Sequence, residues 1–107
     1  MCDEVRELLE TTRQEFICKM VRVGAKGLYD GFRLGNTRDI EGGQLTIRLA
    51  EELAKAFVAK GMMPMPDDVK GMLNREADLA ASDTYTGEAM KTDMDWINEN
   101  LDAILQA

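Results

Sequence analysis

Gly24-Ala25-Lys26-Gly27-Leu28-Tyr29-Asp30-Gly31-Phe32-Arg33-Leu34-Gly35 is the stretch whose reading decides the fold. Its glycines at 24, 27, 31 and 35 are spaced three, four and four residues apart, which puts them on one side of a helix. A helical glycine costs roughly 0.5–1 kcal/mol relative to alanine, so such a stripe persists where another surface lies close against it. Upstream, Val5, Leu8, Leu9, Phe16, Ile17, Met20, Val21 and Val23 fall mainly at helical spacing from Asp3 onward. The phase of Ile17, Val21, Leu28 and Phe32 runs unbroken through the glycines. The pattern predicts one helix over 3–34, stopped by Gly35-Asn36. A competing reading makes Gly24 a left-handed cap followed by a loop.

Downstream, residues 37–43 read as a turn ending in Gly42-Gly43. Leu45, Leu49, Leu53 and Phe57 with Ala50, Ala54 and Ala56 then predict a helix over 44–60, closed by Gly61. Leu45, Ile47 and Leu49 also alternate with Thr46 and Arg48, so the start of this segment reads equally as a short strand. Met62 to Pro66 is a linker, because its two prolines block a helix through it. A third helix is expected over 66–81, with Pro66 in its first turn and Asp67 and Asp68 against its N-terminal dipole. After a polar turn with Ser82, Asp83, Thr84 or Thr86 as caps, a fourth helix is expected over 87–105. Its face is Met90, Met94, Ile97, Leu101, Ile104 and Leu105. The expectation is an all-α, four-helix single domain spanning 1–107, with a long glycine-striped first helix.

The charge is unevenly placed. Residues 1–66 balance ten acids with ten bases, so the net charge of −7 belongs to residues 67–107. An acidic C-terminal part disfavours nucleic acid and steers a basic partner towards it. No apolar run approaches the ~18 residues of a membrane span. Two cysteines, Cys2 and Cys18, make no disulfide framework, and the charged N-terminus carries no signal-peptide pattern, so a cytoplasmic location is expected.

No histidine occurs, which removes any Ser-His or Cys-His nucleophile pair within one chain. Two cysteines cannot complete a tetrahedral zinc site. Asp93, Asp95 and Glu99 do not converge on a helix, and neither a calcium loop nor a phosphate-binding loop is present. The chain is read as non-enzymatic, without cofactor or metal.

Gln44-Leu45-Thr46-Ile47-Arg48-Leu49-Ala50-Glu51-Glu52-Leu53 resembles the strand and first-helix start of ribbon-helix-helix DNA-binding proteins. The resemblance covers about ten residues. It implies a dimeric regulator in which Gln44, Thr46 and Arg48 enter the major groove and Leu45, Ile47 and Leu49 face the core.

The leading expectation is an interaction module that forms a homo-oligomer and binds another protein, as a small acidic inhibitor or decoy of a basic, nucleic-acid-handling partner. Asp93, Asp95, Glu99 and Asp102 around Trp96 would form its surface. Gly27 and Gly31 would supply either a seam between copies of a homo-oligomer or a groove for a partner, unless the stripe packs on the chain's own second helix.

Overall fold

A computed structural model describes residues 2–64 and 69–105, and it places four helices and no strand among them. Helix α1 is Asp3–Leu34, α2 Thr37–Ala59, α3 Val69–Ala80 and α4 Gly87–Leu105. The all-α, four-helix architecture is as the sequence predicts. The expected start of α3 at Pro66, with Asp67 and Asp68, lies outside the described residues.

Helix α1 runs without interruption through the glycine stretch. Its 32 residues match, at about 1.5 Å each, the 48 Å long axis of the molecule. It ends at the expected stop. Gly35 adopts the left-handed conformation at φ 68°, and Asn36 N–H returns to Gly31 O at 2.8 Å. Asn36 then serves the next helix, its Oδ1 accepting from Asp39 N–H at 3.2 Å. Two residues therefore reverse the chain.

This corrects the expected turn at 37–43, because α2 begins at Thr37 and carries Gly42-Gly43 inside it. The strand alternative falls at the same point: Leu45–Leu49 is mid-helix. The turning is done by Gly35-Asn36, which leaves Gly43 free for packing. A β-carbon on Gly43 would stand 2.5 Å from Gly24 O and 2.7 Å from Leu28 N. One on Gly31 would stand 2.9 Å from Ile40 N, and one on Gly24 would stand 3.1 Å from Gly43 O. The stripe thus lets two backbones of the same chain touch.

Each of α2, α3 and α4 packs on α1. Gly24 meets Gly43 and Gly31 meets Ile40, so α2 runs antiparallel to α1. Arg22 meets Asp93 and Lys19 meets Trp96, so α4 does too. The core gathers Phe16, Ile17, Met20 and Val21 of α1 with Ala50, Ala54 and Phe57 of α2, Met63, Leu73 of α3 and Ile104 of α4. A smaller cluster joins Ala25, Ala80 and Tyr85. Because α2 presents its glycine and alanine face inward, Leu45 and Leu49 stay outside at 64 % and 56 % exposure. The first two turns of α1 project, leaving Val5 and Leu8 exposed.

Candidate functional site

Two features stand out above the packing: a charged junction inside the molecule and an open groove on its surface.

The junction is built on Arg22. Its position on α1 faces both α3 and α4, and the fork geometry of a guanidinium suits two carboxylates at once. Arg22 Nη1 donates to Glu76 Oε2 at 2.6 Å, and Nε donates to Asp93 Oδ2 at 3.1 Å. Tyr85 OH donates to the same Asp93 oxygen at 2.6 Å. Burial works against the arginine's charge, but the hydrogen bonds to Asp93 and Glu76 outweigh it and push its pKa up. Burial, then the Asp93 carboxylate, push the Tyr85 phenol up as well.

The place of Asp93 is thereby corrected. The sequence pattern puts it on the acidic interaction surface, but only 8 % of it is exposed and its carboxylate is consumed inside the molecule. The position is one helical turn from the core side chains Trp96 and Ile97, which explains its inward direction. Trp96 is half-buried against the core and carries Lys19 Nζ over its ring at 4.7 Å. It is no free anchor. Asp95, Glu99 and Asp102 are exposed, with Asp95 accepting from Lys91 at 3.2 Å. Together with Glu88 they follow at intervals of seven, four and three residues, one outward face of α4.

Cys18 sits half-buried in a cleft of about 310 Å³ that Arg22, Glu76 and Met72 also line. Burial first, then the neighbouring Glu76, raise its thiol to about 11. A thiol in that state is a poor nucleophile at neutral pH. At pH 7.5 its modification by a thiol-specific disulfide reagent is expected to lag that of an unburied thiol by about a hundredfold. A rise from 9.0 to about 11 leaves roughly one hundredth of the thiolate, which is the reacting form. Mass spectrometry of the timed reaction would then show Cys2 labelled first. Both raised groups bind their protons more tightly when folded. Their stabilisation is complete below the ordinary values and is lost as pH rises, from about 9 to about 11 for Cys18 and from about 10 upward for Tyr85. Denaturation midpoints should accordingly fall above pH 9, and Tyr85→Phe should flatten part of that fall.

Arg13 is buried as well. It donates to Met62 O at 2.5 Å and lies 5.9 Å from the Phe57 ring centre, and its Nε has no partner among the described residues. It closes the chain after α2 rather than forming a site.

The groove runs between α2 and α4 over α1. Met20 and Val23 form its floor, Thr46 one wall, and Met94, Ile97 and Asn98 the other, around a volume of about 190 Å³. It continues past Val23 and Thr46 into a second hollow of about 220 Å³. Gly27, Asp39, Gly42 and Met90 line that end. Leu49 and Leu53, three and seven residues after Thr46, prolong the α2 wall, and Leu101 prolongs the α4 wall. Met94 and Leu101 remain 43 % and 37 % exposed.

Of the expected glycine seam, Gly31 is covered by Asn36 and Ile40 of its own chain and offers a second copy no surface. Gly27 differs. Its nearest neighbour beyond its own helix, Asp39 O, is 3.9 Å from where a β-carbon would stand. It faces the groove. Thr46, a base reader in the ribbon-helix-helix resemblance, donates instead to Gly42 O at 2.8 Å, within its own helix. Gln44 and Arg48 are exposed on a helix where that resemblance requires a strand.

No family model, curated protein or solved structure matches this chain. Its own geometry is what bears on function. Among the described residues no three thiols or carboxylates form a metal-holding group, and no helix is long and apolar enough to cross a membrane. The junction is hidden from sequence periodicity because an isolated arginine has no period. One signal is available: Arg22 lies between Val21 and Val23 in the most apolar turn of α1, where a cation needs partners.

Proposed function

We propose that this chain is a non-enzymatic interaction module that recognises a basic protein partner through the outer face of α4. A small acidic inhibitor or decoy of a nucleic-acid-handling protein would act in this way. The observation that supports the reading is the placement of Glu88, Asp95, Glu99 and Asp102 along one exposed face, with Lys91 alone opposing them. Such a face attracts a polycation over a Debye length and repels phosphate. With Asp93 withdrawn into the junction, the surface residues of the proposal are Asp95, Glu99 and Asp102. A cytoplasmic location belongs to the same reading, since Cys2 and Cys18 are both free.

The test uses a lysine-rich peptide of about 20 residues with leucines at helical spacing, followed by fluorescence anisotropy. Its affinity is expected to drop at least tenfold between about 0.05 M and about 0.5 M salt. The triple variant Asp95→Asn, Glu99→Gln, Asp102→Asn should lose a comparable factor at low salt. Equal binding by the triple variant and the parent would sink the reading.

A further inference from the structure

We infer that the groove between α2 and α4 is a seat for an amphipathic helix of the basic partner, an inference that rests on the function proposed above. The walls are two helices running in the same direction over α1, and the apolar positions on each recur at three and four residues. Thr46 stands in one wall, with Leu49 and Leu53 three and seven residues further along the same helix. Met90, Met94 and Ile97 stand in the other, with Leu101 one turn beyond. That is the surface a helix leaves for another helix, read by anchors at i, i+3 or i+4, and i+7.

Charge decides the occupant. Beyond Met94 and Leu101, α4 turns directly into the face that carries Asp95, Glu99 and Asp102, and Asp39 lines the far end of the groove. A helix seated on the apolar floor would place its flanking residues against those carboxylates. Lysine or arginine beside an apolar stripe fits that arrangement, whereas a second copy of this acidic chain would bring its own carboxylate face towards them.

Two glycines agree with this. Gly24, Gly31 and Gly43 are required by contacts within the chain. At Gly42, by contrast, a β-carbon would meet nothing within 4 Å, and at Gly27 it would meet only Asp39 O at 3.9 Å. Both sit inside helices and both line the same hollow. A side chain at either would narrow the groove and not the fold.

The test adds to the helical lysine-leucine peptide a second peptide of the same composition, reordered to lose helical period. The parent chain should bind the periodic peptide at least tenfold more tightly. Gly27→Leu and Gly42→Leu should each reduce that affinity at least tenfold, while thermal midpoints stay level or, for Gly42→Leu, rise. Equal binding of the two peptides, or undiminished binding by both leucine variants, overturns the helix seat. The acidic-face reading survives that result if neutralising Asp95, Glu99 and Asp102 still weakens both peptides. A dimer in sedimentation that dissociates on Gly42→Leu would make the groove a self-interface and also overturn the inference.

Discussion

Replacing Arg22 with methionine is expected to cost about 3–5 kcal/mol of stability, read as a lowered midpoint in chemical denaturation followed by circular dichroism. The side chain bridges Glu76 and Asp93 with only 17 % of its surface exposed. The carboxylates it meets, on Glu76 and Asp93, are themselves 21 % and 11 % exposed. An ion pair this sheltered lies outside the surface regime in which such pairs contribute ~0–1 kcal/mol. Without the guanidinium, two carboxylates face each other with their desolvation uncompensated, and Tyr85 can satisfy only one oxygen. Arg22→Lys should recover part of the loss, because an ammonium restores the charge but not the two-pronged geometry. Removing all three charges together with the hydroxyl that Asp93 accepts from, as Arg22→Met, Glu76→Met, Asp93→Leu and Tyr85→Phe, should recover most of it. A loss below about 1 kcal/mol for Arg22→Met would mean that water reaches the junction freely.

The effect matters for the fold because the junction ties three elements into one body. Arg22 belongs to α1, Glu76 to α3 and Asp93 to α4, with Tyr85 in the connection between the last two. Among the described residues, the large apolar side chains that α3 and α4 bury in the core are Leu73 from one and Ile104 from the other. A directional contact therefore sets where those helices sit, and the outer face of α4 with it. By holding Asp93 inward, the junction turns Asp95, Glu99 and Asp102 outward and leaves Met94 beside the groove. Position and proposed function are connected through one arginine.

What the sequence reveals and what it conceals divide along the same line. Periodicity locates α1, with Gly35-Asn36 as its stop, and α4, with Thr86 as a cap accepting from Ala89 N–H at 3.1 Å. Those are local properties, written into neighbours three and four residues apart. The start of α2 is concealed because Gly42-Gly43 is turn chemistry by composition, and only the approach of Gly24 and Leu28 makes a helix with glycines there worthwhile. The inward face of α2 is concealed for a related reason. Leucine outranks glycine and alanine in any apolar count, so Leu45 and Leu49 read as core. Shape overrides that ranking: a glycine-striped partner accepts the small face and leaves the leucines at the rim. Asp93 is misplaced by its sequence because a charge on an acidic helix has no mark of its own. Its charged partner, Arg22, lies 71 residues away in the chain.

Gly43→Ala is expected to destabilise the chain by about 2 kcal/mol, roughly 10 °C in melting temperature, while the neighbouring Gly42→Ala stabilises it by about 0.5–1 kcal/mol. Both substitutions remove the same helical-glycine penalty, so any difference between them is packing. At Gly43 the new methyl would stand 2.5 Å from Gly24 O and 2.7 Å from Leu28 N. Those are backbone atoms, which cannot swing aside as the end of a flexible side chain would. The helices must separate, and the separation is felt by Ala50 and Ala54, which are fully buried at the same seam. At Gly42 the methyl meets nothing within 4 Å and faces solvent, so only the backbone gain remains. Gly31→Ala should resemble Gly43→Ala, since Ile40 N would be 2.9 Å away. Paired thermal melts of the single variants measure the contrast directly. Shifts of the same sign at 42 and 43 would show that α1 and α2 do not meet backbone to backbone, and the hairpin on which the groove depends would have to be redrawn.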